Sequence, residues 1–427
     1  MSQASQAQPH QTAFLHYTAP PVVGGVEAVI QAHVRTFVQS GYPVTVVAGR
    51  GEASAVAPLA DLVHLPLLDS QHPQVVETSS HLERGKVPPT FEDLVNQLTA
   101  ELAPVLSRCD TVIVHNVFTK HFNLPLTAAL YNLLKAGKLA NCIAWCHDFT
   151  WTSPSSRSKV HPGYPWDLLR TCYPDVTYVV VSQRRQQELA ALFECRPEQI
   201  HVVYNGVDPE ALLGLSAEGS ALVGRLNLLE SDLVLLMPVR VTQAKNVEYA
   251  LRVVAALKAR GYRPKLVVTG PPDPHDAQSM AYFRELQTLR GQLGVEEEMR
   301  FVYESGPDPD RPLTIDERVV GDLFRVSDVM FMPSHREGFG MPVLEAGLAG
   351  RLVVCSANVP AAAEIGGADV MTFDPKQDPD DLVAGLLARI EQSPTHRLRR
   401  RVQQDYTWQA IFERDVRPLL AGKGRAA

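Results

Sequence analysis

Residues 328–350 read "DVMFMPSHREGFGMPVLEAGLAG". Val329–Met332 is a short, wholly apolar run, which predicts a strand covered on both faces, as in a parallel sheet. "SHREGFG" is then a loop. Pro342 suits the first turn of a helix that continues through "VLEAGLAG". The free N–H groups and dipole of that helix start favour an anion, and Gly338 and Gly340 let the backbone approach a ligand closely. Glu337 falls in the loop and Glu345 about one turn inside the helix. A carboxylate at Glu345 can accept two hydrogen bonds from a vicinal diol such as a ribose. The alternative is that it only complements the helix dipole.

The same strand–loop–helix unit recurs in both directions. Towards the N-terminus, strands are expected in "AFLHYTAP" (13–20), "PVTVVAG" (43–49), "TVIVHN" (111–116), "NCIAWCHD" (141–148), "VTYVVVS" (176–182) and "QIHVVYNGVD" (200–208). A second series covers "DLVLLMPVRV" (232–241), "PKLVVTG" (264–270), "MRFVYES" (299–305), 328–333, "LVVCS" (352–356) and "ADVMTFD" (368–374). Helical spacing marks 24–41, Val247–Ala259 and Asp380–Ile390. Two such series predict an α/β chain with two doubly wound domains. A hinge is expected near 206–230, where small residues concentrate.

The bulk numbers agree with this. A chain of 427 residues is too long for one ordinary core, and its 45% hydrophobic and 20% charged residues describe a globular protein. A net charge of −7 and a pI near 6.1 argue against a nucleic-acid partner. No apolar run approaches the roughly 20 residues needed to span a bilayer. The polar start, "MSQASQAQPHQT", lacks an apolar signal core, so a cytoplasmic location is expected. None of the six cysteines forms a C-x-x-C pair, and they are expected to be buried free thiols.

Polar residues gather where the expected strands end, the place at which open parallel sheets bind ligands. Arg240 and Lys245, in "PVRVTQAKN", follow a strand and precede a helix. Two cations there suit a diphosphate; the alternative is a solvated basic loop. Gly24 and Gly25 permit close approach of a phosphate or sugar, or make a tight turn. The chain has no G-x-G-x-x-G, which disfavours a nicotinamide dehydrogenase. His115 ends one strand. His147 and Asp148 follow the next, positioned to meet sugar hydroxyls or to serve as a structural His and a capping Asp. Asn205-Gly206 is a turn at the domain junction.

With these residues in view, the chain resembles the retaining family 4 glycosyltransferases of GT-B fold. "EGFGMPVLEAGLAG" matches the family's E-x7-E signature. "GGVE", "VVYNGVD", Arg240-x4-Lys245-Asn246 and "SDVMFMPSHREGFG" follow in the family's order over about residues 13–420. The resemblance implies two Rossmann-like domains facing each other across a cleft. Its expected boundaries are a disordered lead-in over 1–12, an acceptor-binding domain over 13–208, a nucleotide-sugar domain over 209–404, and a terminal helix over 405–427 that crosses back, suggested by "YTWQAIFERDV".

The resemblance also implies roles. Glu345 binds the ribose and Glu337 the donor sugar. Backbone at Phe339, Gly340 and Met341 holds sugar and phosphate, and Arg240 and Lys245 take the diphosphate. Gly25 lets the loop close over the donor. His147 lies near the donor sugar, with His115 and Asp148 on the acceptor side. Two departures stand out: Val239 replaces the family's glycine before the arginine, and "TGPPDPHDAQSMAYF" (269–283) is a longer, Pro-rich stretch. "DPD" at 308–310 is a formal metal motif in the wrong place, so no metal is expected.

The reaction expected is transfer of a hexose from a nucleoside-diphosphate sugar to a hydroxyl. Attack on the same face, assisted by the leaving phosphate, retains the anomeric configuration. A sugar-nucleotide epimerase and a non-catalytic nucleotide-sugar sensor are the rivals. The stretch 70–95 offers no basic amphipathic face, which favours a small soluble acceptor over a lipid-linked or cell-surface glycan.

Overall fold

The computed structural model describes residues 10–56, 59–272, 277–308 and 310–421. By its internal contacts the chain divides into one unit of residues 1–206 and 406–427 and another of 207–405.

The first unit holds a seven-stranded sheet. Its strands are β1 (Thr12–Thr18), β2 (Val44–Arg50), β3 (Asp61–His64), β4 (Thr111–His115), β5 (Cys142–Cys146), β6 (Val176–Val180) and β7 (Ile200–Val202). They lie in the order β3-β2-β1-β4-β5-β6-β7, and every pairing is parallel. β1, β4 and β5 are buried along their whole length, which explains why their sequences are apolar without alternation. β3 is absent from the sequence reading. It is a short edge strand with exposed ends and too few apolar residues to give a signal.

The second unit has β8 (Leu233–Met237), β9 (Pro264–Val268), β10 (Met299–Phe301), β11 (Val329–Met332), β12 (Leu352–Ser356) and β13 (Met371–Phe373). Their order is β10-β9-β8-β11-β12-β13, again all parallel. Each sheet therefore reverses its winding once, between β1 and β4 in one unit and between β8 and β11 in the other. Such switch points are where doubly wound sheets take ligands.

Three expectations change. The lead-in drawn over 1–12 falls on described residues at its end. There Thr12 already belongs to β1, and Gln11 donates from its backbone to Asp110 (2.9 Å) and from its side chain to Thr45 (2.9 Å). The stretch read as a hinge is largely helical, over Pro209–Leu213 and Ala217–Arg225. Ser216 caps the second of these helices, and Leu222 and Val223 bury into the core of the second unit. Small residues there serve packing: a Cβ on Gly219 would fall 2.0 Å from the Asp322 carboxylate. Several strands also end sooner than their apolar runs. β8 stops at Met237 and β10 gives way to a 3-10 turn over Val302–Glu304. The Pro-rich stretch 269–283 lies partly outside the described residues, and a helix begins at Ala277.

Residues 406–421 complete the core of the first unit. Ile411, Phe412, Val416 and Leu420 pack with Phe14, Ile30 and Phe37, the Phe37 and Phe412 rings edge to face at 4.9 Å. The Asn205-Gly206 turn lies against the same segment, where a Cβ on Gly206 would meet Trp408 N at 2.8 Å. None of the six cysteines forms a disulfide. Cys109, Cys142, Cys146 and Cys355 are buried as expected, but Cys172 is exposed and Cys195 half-buried. Among the described residues no helix is long and apolar enough to cross a membrane.

Candidate functional site

In the second unit the two strands flanking the switch point lead into the two loops singled out by sequence. The loop after β8 carries Arg240 and a 3-10 turn over Gln243–Lys245, and reaches the Val247–Ala259 helix through Asn246 at φ 53°. The loop after β11 runs from Ser334 to Gly340, and the Met341–Leu348 helix follows. Two hydrogen bonds join the loops: His335 N donates to Ala244 O (2.8 Å), and the Asn246 side chain donates through Nδ2 to Pro333 O (3.1 Å).

This stitching brings Lys245 and Glu337 together. Lys245 Nζ lies 2.6 Å from Glu337 Oε1, which also accepts from Ser334 Oγ at 2.7 Å. The two residues given separate ligands thus hold each other, with side chains only 21% and 11% exposed. Arg240 is exposed and pairs with no described residue. Glu345 is also exposed, on the helix as expected.

Gly340 sits at φ 103° and ψ 56° immediately before that helix. A Cβ there would fall 2.5 Å from Val359 Cγ1. Phe339 O accepts from Ala361 N (2.9 Å), tying the turn to the segment after β12. The amides of Phe339, Gly340 and Met341 donate to no described acceptor; the last two belong to the helix start, where Val343 N donates to Gly340 O (3.0 Å). Phe339 and Met341 expose their side chains.

Val239, where the family pattern has glycine, is buried in the core. Close packing at this point comes from the neighbouring strand end instead. Gly270 N donates to Val239 O (3.0 Å), and a Cβ on Gly270 would lie 2.6 Å from that oxygen and 2.7 Å from Arg240 Cα. Gly270 therefore sets the path of the arginine loop, a role that no local pattern announces.

In the first unit, β1 leads through Gly24 into the Gly25–Gln39 helix. The space a Cβ on Gly25 would fill is open, whereas one on Gly24 would collide with the Glu27 carboxylate at 2.1 Å. Glu27 accepts from Thr18 Oγ1 and lies 3.8 Å from His16 Nε2. His16 Nδ1 donates to His115 O (2.9 Å). His115 Nδ1 and His147 Nε2 are 3.2 Å apart, so one carries the proton that the other accepts. Both are buried. Burial pushes the His147 imidazole down to about 4, with the nearby His16 adding to the effect. It holds His115 well below the ordinary value, where the other histidines act in the same direction. Asn116, at φ 61°, bends the chain after β4. Its Oδ1 accepts from His147 N (2.8 Å) and Asp148 N (3.2 Å), which fixes the loop after β5. Asp148 is exposed and bonded to Arg185 Nη2 (2.8 Å). Asn116 was legible as a polar residue at a strand end but not for this job, and Arg185, in the first turn of the Gln183–Phe193 helix, had no local signal.

Residues 223–405 match the family described as Glycosyl transferases group 1, and residues 23–211 match Glycosyltransferase Family 4. A D-inositol 3-phosphate glycosyltransferase of Saccharomonospora viridis is 30% identical over 221 residues, 51% of this chain and 44% of that protein. The mannosylglucosylglycerate synthase of Petrotoga mobilis is 25% identical over 271 residues, 60% of each. The matched segments thus span about half the length of these relatives. A solved glycosyltransferase structure from Rickettsia africae has a TM-score of 0.38 and 14% identity, covering 97% of this chain and 98% of that one. With one matched segment over each Rossmann-like sheet, the chain belongs to glycosyltransferase family 4 and has the GT-B type of architecture.

Proposed function

We propose that the protein transfers a hexose from a nucleoside-diphosphate sugar to the hydroxyl of a small acceptor, with retention and without a metal. The observation that carries this reading is the Lys245–Glu337 pair, formed where the two loops at one switch point meet ahead of the Met341–Leu348 helix, with Arg240 on the same loop as Lys245. Arg240 and Lys245 take the charge that grows on the leaving diphosphate, as fixed cations and N–H groups do for other developing anions. Lys245 starts on Glu337, so a phosphate that draws it away frees the carboxylate for donor hydroxyls. Glu345 receives the ribose. The leaving phosphate assists attack from its own face.

The experiment is a thermal-shift panel of GDP, UDP and ADP, followed by mass spectrometry of products with the matching sugar donors. A nucleotide at 100 times its Kd adds about 2.7 kcal/mol of stability. Arg240→Ala should lower kcat by roughly 10²–10³, the usual loss on removing one charge-stabilising donor. Unchanged turnover in that variant refutes the assignment. Donor consumption without any acceptor would indicate an epimerase, and tight binding without turnover a sensor.

A further inference from the structure

At the carboxyl ends of β4 and β5, a turn over 116–121 is closed onto the loop over 147–150. Thr119 and Lys120 donate from their backbones to Asn116 O (both 3.0 Å), Thr150 N donates to Thr119 O (2.9 Å), and Thr119 Oγ1 donates to Asp148 O (2.8 Å). His121 N donates to Thr150 Oγ1 (3.1 Å). Lys120 projects from this rigid turn and is half-buried.

The neighbouring cations are all satisfied. Lys159 is 3.0 Å from Glu83, Arg185 is 2.8 Å from both Asp148 and Glu188, and Arg157 Nη1 donates to Trp151 O at 2.7 Å. Lys120 differs. Its ammonium lies 4.8 Å from the centre of the Phe122 ring and meets no carboxylate or carbonyl among the described residues. Burial pulls its proton affinity down, Asp148 raises it, and Arg185 and Lys159 pull it down again. His121 beside it is pushed down to about 4, first by burial and then by Lys159 and Lys120. Half-buried over an aromatic face and with no protein acceptor among the described residues, the ammonium keeps its N–H groups available to a ligand, and it stands where such sheets bind their ligands.

The geometry points to Lys120 as the contact for an acidic group on the acceptor, a phosphate or a carboxylate, with Arg185 beside it. This inference rests on the transferase reading and narrows it: the acceptor is a small hydroxylated anion. Arg185 is shared between two carboxylates, so a bound anion can recruit one of its N–H groups. Asp148, exposed opposite, then remains for an acceptor hydroxyl.

Calorimetric titration of the full chain with inorganic phosphate, and separately with glycerate, tests it. Lys120→Met should weaken binding of the preferred anion at least tenfold, and Lys120→Arg should keep most of it. Whichever anion binds more tightly to the unaltered chain identifies the acidic group. Lys245→Met controls for a phosphate on the donor loops. Thermal unfolding of each variant confirms that it is folded, and Lys120→Gln serves if the Met variant is not. Equal binding by the unaltered chain and Lys120→Met, binding lost only in Lys245→Met, or binding of neither anion overturns the inference. A chain that binds phosphate through Lys120 but is stabilised by no nucleoside diphosphate sinks the transferase reading and leaves the anion site standing.

Discussion

Each imidazole beneath the carboxyl ends of β1, β4 and β5 has a neutral native state imposed by its surroundings. His33, on the Gly25–Gln39 helix, is one such case. It packs edge-on against Trp145 and Trp408, neither ring nitrogen has a hydrogen-bond partner, and burial, with His147 nearby, pushes it down to about 3. An unfolded histidine titrates near 6.5. For His33 and His147, held at about 3 and about 4, the unfolded chain between that value and about 4 binds protons that the native state does not. Stability is therefore full above about pH 7 and falls as pH falls, by about 1.4 kcal/mol per unit for each such histidine. Urea unfolding at pH 7 and pH 5 should show this loss. The four tryptophans, at 145, 151, 166 and 408, make fluorescence a reporter of the first unit alone. His33→Phe should flatten the slope by about one proton, and an unaltered slope refutes the account. At this scale the sequence showed residue types but not partners. Lys245 and Glu337 stand 92 positions apart, and only the pairing of β8 with β11 makes them neighbours.

Elements were more legible than residues, because burial on both faces writes itself into composition. β11, the loop after it and the following helix were readable from "DVMFMPSHREGFGMPVLEAGLAG" alone, with the helix start found within one residue of Pro342. Strand ends were less clear, since apolar residues such as Val239 and Val241 stay buried after the ladder stops. The former hinge shows the converse, where small residues in close packing resemble small residues in a linker. The turn at Gly340 has a measurable energetic signature. Alanine there must adopt a left-handed backbone and press on Val359. Gly340→Ala should cost about 1–3 kcal/mol, visible as a lower urea midpoint for the second unit by circular dichroism. A variant as stable as the parent would show that the turn relaxes without loss.

For the whole molecule, the two sheets repeat one winding scheme, and the expectation of two doubly wound domains followed from counting apolar runs. The division at 206/207 and 405/406 lies close to the expected boundaries at 208/209 and 404/405. The return of the last segment was suggested by "YTWQAIFERDV" but its packing was not, because the partners of Phe412 lie at Phe37 and Tyr42. Phe412→Ala should destabilise the first unit by about 3–5 kcal/mol, lowering the tryptophan-detected midpoint. If the midpoint is unmoved, the segment is an accessory and not part of the core.

That closing segment also sets a timetable for birth on the ribosome. Residues 1–206 emerge first, yet the side chains that cover Phe14, Ile30 and Phe37 arrive only after about 200 further residues. At about 5–20 residues per second this leaves a naked apolar patch for about 10–40 s. The second unit, continuous in sequence, can finish folding before the first is sealed. The apolar face is therefore expected to stay exposed during that interval, and translation stalled before residue 406 should leave a sticky N-terminal half.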